Sequence, residues 1–299
     1  MKRWIERNTE SLAGKTVAIS GSTGGLGYAL CKRLAALGAH LILLDRNPGK
    51  MDALAEHVHS LYPQTEIDRV QMDLADMQSV DAAAQQLRGM PVDVLICNAG
   101  AYAVPRFITS SGLDNVFQIN FAAPYYLVRS LLPHLAERDG RVVIVGSIAH
   151  NYSKTDPDDV DFRTRQKASL VYGNAKRYLM FSMYDLFGDR EDATLSVTHP
   201  GIAVTGITAH YPKWLYALIQ YPMKVIFMHP RRACLSILEG VFEPTASCEW
   251  IGPRVFDVWG LPRKRVLTTC DVQEREYIAE AAERIYLDLC CQPGKEDYQ

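Results

Sequence analysis

Tyr172 and Lys176 stand four positions apart in the run Tyr172-Gly173-Asn174-Ala175-Lys176. On a helix, that spacing places a phenol and an ammonium on one face. Reduction of a carbonyl by hydride transfer leaves an alkoxide that needs a proton. A tyrosine with a pKa of ~10 exchanges protons poorly near neutral pH, whereas a neighbouring lysine cation favours the tyrosinate form. Tyrosine and lysine also share many solvated helix faces, so the pair gains meaning only from what surrounds it.

A second feature lies near the amino end, in Ser20-Gly21-Ser22-Thr23-Gly24-Gly25-Leu26-Gly27. It follows the β-branched run Thr16-Val17-Ala18-Ile19-Ser20 and precedes Leu30, Cys31, Leu34 and Leu37, which recur at helical spacing. Glycines there let backbone approach a pyrophosphate, and the helix start offers N–H donors and a positive dipole end. The plainer reading is a flexible turn, but the strand–turn–helix context favours a nucleotide. Asp45 closes the next apolar run, Leu41-Ile42-Leu43-Leu44. Its carboxylate can accept adenosine ribose hydroxyls and would repel a 2′-phosphate. Arg46 follows and can instead pair with such a phosphate, or both can form a solvated strand end.

The elements that must position these groups alternate along the chain. Strands are predicted at 16–20, 41–44, 68–72, 92–97, 141–145 and 194–198, with helices over 51–61, 113–135 and 172–187. Short apolar strands separated by helices imply βαβ units, hence an α/β protein whose parallel sheet is covered on both faces. Residues 151–167 are polar and rich in Asp and read as a loop. Residues 202–230 carry Pro212, Pro222, Pro230 and many aromatics, and read as an irregular insertion of short helices. No repeat or linker divides the chain, so one domain over 1–299 is expected.

Gly21, Gly25 and Gly27 give G-x-x-x-G-x-G, which resembles the short-chain dehydrogenase/reductase family. Six motifs follow its order from Ser20 to Thr205. The resemblance implies a doubly wound Rossmann-type fold and a dinucleotide contacted by Gly21, Gly25, Leu26, Gly27, Asp45 and Arg46. It also implies that Asp73-Leu74 lies beside the adenine and that Asn98-Ala99-Gly100 braces the sheet along the cofactor. Pro200-Gly201-Ile202 and Thr205, from the family's P-G-x-x-x-T segment, would approach the nicotinamide carboxamide. Ser147 would hydrogen-bond the reacting oxygen, Tyr172 would exchange the proton, and Asn120 would organise a water-linked proton path to Lys176. Lys176 and Tyr172 would also contact the cofactor. Ser20 and Cys97 depart from the family's Thr and Asn. His199 precedes the Pro-Gly turn and is read as structural.

Ser147-Ile148-Ala149-His150, Asp161-Phe162 and His199-Pro200-Gly201 look like the retinol-dehydrogenase-like branch, whose members often act on lipophilic alcohols and carbonyls. Trp214, Tyr216, Tyr221 and Phe227 make the insertion unusually apolar, suiting a substrate lid, helix packing or a subunit interface. The expected activity is hydride transfer between NAD, with NADP as the alternative, and an alcohol or carbonyl. Rival readings are a non-catalytic NAD(P) sensor and a carbon–carbon double-bond reductase. A net charge of -2 without a basic face argues against nucleic acid. The odd count of seven cysteines, with no C-x-x-C and no metal spacing, fits reduced thiols and no metal. No signal peptide or transmembrane stretch is read, so a cytoplasmic location is expected. Peripheral membrane contact and a homo-oligomer stay open.

Overall fold

The computed structural model describes residues 1–201 and 228–291. A short helix, α1 (Lys2–Asn8), precedes β1 (Thr16–Ser20), α2 (Gly25–Ala36), β2 (His40–Asp45), α3 (Pro48–Leu61), β3 (Ile67–Gln71), α4 (Met77–Arg88) and β4 (Val94–Cys97). The chain continues through α5 (Asn115–Phe117), a π turn (Gln118–Ala122), α6 (Ala123–Ala136), β5 (Arg141–Val145), a 3₁₀ turn (Ile148–Tyr152), α7 (Ala168–Leu186) and β6 (Thr194–Thr198). It ends with α8 (Pro230–Phe242), β7 (Glu249–Val255), β8 (Trp259–Val266) and α9 (Val272–Cys290).

The eight strands form one sheet in the order β3-β2-β1-β4-β5-β6-β7-β8. All neighbours are parallel except the β7–β8 pair. Every residue of β1 and β4 is buried, which explains their continuous apolar reading: both faces carry helices. One core packs α4, α6, α7 and α9 against the sheet, and the other packs α2, α3 and α8. Because β1 pairs with β2 on one side and β4 on the other, sheet growth reverses there. Ligands of such sheets bind beyond the carboxyl ends of the strands at that reversal.

The predicted strands fall close to β1–β6, and three differences have local causes. The helix expected over 113–135 starts at Asn115 and widens into the π turn, where Asn120 Nδ2 donates to the Val116 carbonyl at 2.8 Å. The helix expected from Tyr172 starts one turn earlier, at Ala168. Strands β7 and β8 and helix α9 were not anticipated. The predicted apolar insertion falls largely on 202–227, outside the described residues, as do Ile202 and Thr205. Among the described residues, no helix is long and apolar enough to cross a membrane.

Candidate active site

Turns at the carboxyl ends of the parallel strands gather the predicted residues. After β1, Gly21 adopts φ +64°, and a Cβ on it would lie 2.9 Å from the Ala99 Cα. The Asn98-Ala99-Gly100 turn after β4 grips this loop: Asn98 Nδ2 donates to the carbonyls of Ser20 at 2.9 Å and Gly21 at 3.2 Å. Ser20 Oγ accepts the amides of Asn98 and Ala99, both at 3.1 Å, so serine does here what a hydroxyl must do to brace the turn.

Helix α2 begins at Gly25 without a side-chain cap. Its first N–H groups, on Gly25, Leu26 and Gly27, have no partner within the helix. A Cβ on Gly25 would meet nothing nearer than Pro230 Cγ at 3.9 Å. Among the described residues, the buried Ser22 Oγ beside them has no hydrogen-bond partner. Uncapped donors with open space before them suit an anion, so the loop fits a dinucleotide pyrophosphate.

Asp45 ends β2, and its Oδ2 accepts from Thr23 N at 3.1 Å and Thr23 Oγ1 at 2.7 Å. Arg46 is exposed beside it. Asp73 follows β3 and caps its own turn, taking the Ala75 amide at 3.0 Å. Leu74 is buried, and its carbonyl accepts from Gln118 Nε2 at 3.0 Å.

On the other side of the reversal, Ser147 follows β5 and Tyr172 and Lys176 lie on α7. The Ser147 side chain lies close enough to the Tyr172 phenol to favour its charged form, and its hydroxyl takes the Ala149 amide at 3.2 Å. Burial pushes Tyr172 up to about 12, with the Ser147 side chain pulling the other way. Desolvation governs Tyr172, and the lowering expected from Lys176 is not among the causes of its shift. Burial also brings Lys176 down to about 8, opposed by Cys97. Its Nζ sits 5.7 Å from the Tyr172 ring centre and donates to the Val145 carbonyl at 2.8 Å. Asn120 completes the cluster, exchanging bonds with Ala101: its Nδ2 donates to the carbonyl at 2.8 Å and its Oδ1 accepts the amide at 3.2 Å. A Cβ on Gly100 would lie 2.7 Å from Asn120 Oδ1 and 3.7 Å from Lys176 Nζ, so glycine lets these two side chains approach the β4 turn. Tyr102 meets the Tyr172 ring edge-on at 5.3 Å.

His199 stacks on Trp250 at 4.8 Å, and its Nε2 donates to the Asp257 carbonyl at 3.0 Å. Buried and held near pKa 4 by desolvation, it packs as the sequence suggested. Pro200 is half-buried, and Gly201 adopts φ +77° with a would-be Cβ 2.6 Å from the Val258 carbonyl oxygen.

Sequence reasoning missed the Thr23–Asp45 contact and a group behind Ser147 made of the buried His150, Arg177 and Glu274 with the half-buried Thr269. One signal existed. Arg177 has Gly173, Asn174, Met180 and Phe181 at helical neighbour positions, with no carboxylate among them, so a largely apolar helix carries a cation that needs a distant partner.

A family model described as short chain dehydrogenase matches residues 15–155. The WW domain-containing oxidoreductase of Homo sapiens is 30% identical over 222 residues, covering 69% of this chain and 53% of that protein. The chain thus spans about half the length of these curated relatives. Polyprenol dehydrogenase of Homo sapiens is 28% identical over 207 residues, 66% of this chain and 63% of that protein. Among solved structures, an uncharacterized protein from Mycobacterium Paratuberculosis superposes with a TM-score of 0.70 at 25% identity, covering 95% of each chain. A short-chain dehydrogenase from Sphingobium yanoikuyae in complex with NADPH has the same fold, with a TM-score of 0.60 at 20% identity over 95% of this chain and 99% of that one. With its parallel sheet, its glycine turn and its Ser147, Tyr172 and Lys176 cluster, the chain belongs to the short-chain dehydrogenase/reductase family.

Proposed function

We propose that this chain is an NAD(P)-dependent oxidoreductase that interconverts an alcohol and a carbonyl, and that 202–230 forms a substrate-side insertion of a single nucleotide-binding domain. One observation carries the reading: Lys176 Nζ lies 5.7 Å from the Tyr172 ring centre on the next helical turn, with the Ser147 side chain beside the phenol.

Gly21, Gly25, Leu26 and Gly27 would hold the pyrophosphate, Asp45 the adenosine ribose, Asp73 and Leu74 the adenine end, and Asn98, Ala99, Gly100, Pro200, Gly201, Ile202 and Thr205 the nicotinamide half. When bound, NAD(P) gives or accepts the hydride, and its oxidised ring brings a positive charge that favours tyrosinate. Ser147 donates to the reacting oxygen as charge develops on it. Tyr172 gives its proton to that oxygen in reduction and takes one back in oxidation. Lys176, beside the Tyr172 ring, reaches the nicotinamide ribose. Asn120 orders the path by which Lys176 exchanges protons with solvent.

NAD is the preferred cofactor in this reading, because Thr23 holds the Asp45 carboxylate in place where NADP carries its phosphate. The substrate is lipophilic, in keeping with the apolar insertion. Absorbance of reduced nicotinamide, recorded across alcohols and ketones of graded size with both cofactors, tests all three statements. Turnover with none of them supports a non-catalytic NAD(P)-binding protein, and saturation of an alkene instead supports a double-bond reductase.

A further inference from the structure

Behind Ser147 lies a buried polar group that the reaction does not touch. Arg177, the residue after Lys176 on α7, is 2% exposed at its side chain, and Glu274 of α9 is 7% exposed. Arg177 Nε donates to Glu274 Oε1 at 2.7 Å, and Nη2 bonds the second carboxylate oxygen. Two further donors of the guanidinium go to backbone: Nη1 to the His150 carbonyl at 3.0 Å and Nη2 to the Thr269 carbonyl at 2.5 Å.

His150 closes the circuit. A carbonyl can only accept, so His150 Nδ1 donates to the Ser147 carbonyl at 2.6 Å. A neutral ring then leaves Nε2 as the acceptor for Thr269 Oγ1 at 2.9 Å. Glu274 Oε1 also takes Thr155 N at 2.9 Å and Thr155 Oγ1 at 3.2 Å, pinning the far end of the same turn. Asp271 caps α9 by accepting the Glu274 amide at 2.9 Å, which leaves the Glu274 side chain free to face Arg177.

The geometry points to Arg177, Thr269 and Glu274 as positioning residues that hold the Ser147 turn against α7 and so fix the Ser147 hydroxyl relative to Tyr172. The inference rests on the oxidoreductase reading and extends it to α9, whose residues lie beyond those matched by the family model. Arg177, Glu274 and His150 are buried, Thr269 is half-buried, and all four are bonded, so the turn has one arrangement that satisfies all of them. Removing a single bond frees the carbonyl of Ser147 to move, and displacements near 1 Å lower turnover steeply.

The test uses the full chain with Thr269→Val, which deletes one hydroxyl and keeps the ion pair, and Glu274→Gln, which deletes the charge. Amide hydrogen exchange read over 147–155 needs no substrate. It should quicken by about tenfold or more in both variants while β1 keeps its protection. With a substrate from the screen, kcat should fall about tenfold or more, with KM and cofactor Kd within about twofold. Unchanged exchange over 147–155 in a folded Thr269→Val chain overturns the inference, as does quickened exchange with unaltered kcat. Tyr172→Phe runs beside them: if it turns over like the parent, the oxidoreductase reading fails, whereas the exchange result still shows whether the restraint exists.

Discussion

Gly173 lies so close to the 3₁₀ turn that a methyl group on its Cα would sit 2.3 Å from the Ala149 carbonyl oxygen. Tyr172 precedes it directly, so glycine sets how near α7 can carry the phenol to Ser147. Helix propensity alone makes alanine better here by about 1 kcal/mol. The contact reverses that sign, because the neighbour is backbone and overpacking typically costs about 1–3 kcal/mol. Gly173→Ala should therefore lose stability in denaturant unfolding and lose turnover with it. A variant more stable than the parent, with full activity, would show that the turn yields freely.

Tyr172→Phe should bind either cofactor as the parent does and lose about a hundredfold or more in kcat, since only the phenol is removed. Nicotinamide fluorescence gives the binding and absorbance gives the rate. Retained turnover would assign proton exchange to another group.

Asp45 separates the two cofactors. The Thr23 bonds hold one carboxylate oxygen, so the charge cannot swing away as the long Arg46 side chain can. In Asp45→Ala, the ratio of kcat/KM for NADP over NAD should rise about tenfold or more, equivalent to ~1.4 kcal/mol. If the parent already favours NADP, Arg46 is the selector.

Stability should fall in acid, for a reason that the two buried histidines supply. Burial lowers His150 and His199 from 6.5 to about 4. The unfolded chain takes up protons near 6.5, whereas the folded chain resists until about 4, so stability is present above that window and drains as pH falls through it. Each histidine accounts for on the order of 3 kcal/mol at most. His199→Phe keeps a ring on Trp250 and removes one titration. Unfolding free energies measured from pH 7 to pH 4 should show a shallower slope in that variant, and an identical slope would exclude His199 as a source.

The parts of the molecule legible in the sequence are those written in local pattern. Thr16–Ser20 and its glycine turn announce themselves because a strand buried on both faces reads as one apolar run and a tight turn needs glycine. Tyr172 and Lys176 are legible because helical spacing puts them on one face. Strands β7 and β8 hide because Gly252, Pro253, Gly260 and Pro262 interrupt them and β8 lies largely exposed, without alternation. The π turn at Gln118–Ala122 follows no spacing that the sequence displays. Arg177 and Glu274 meet across 97 positions, a separation that no periodicity reports.

The hairpin of β7 and β8 bears on how the molecule behaves in company. Among the described residues, β8 ends one side of the sheet and β3 the other. Pro262 removes a donor from β8, and Arg263, Lys264 and Arg265 crowd the same stretch with charge. Asp68 and Arg69 do likewise in β3, where Arg69 pairs with Asp52 at 2.8 Å. A net charge of -2 offers little mutual repulsion between copies. Resistance to aggregation must then be built into the margins themselves, where a missing N–H and unwelcome charge discourage a stray strand from adding on.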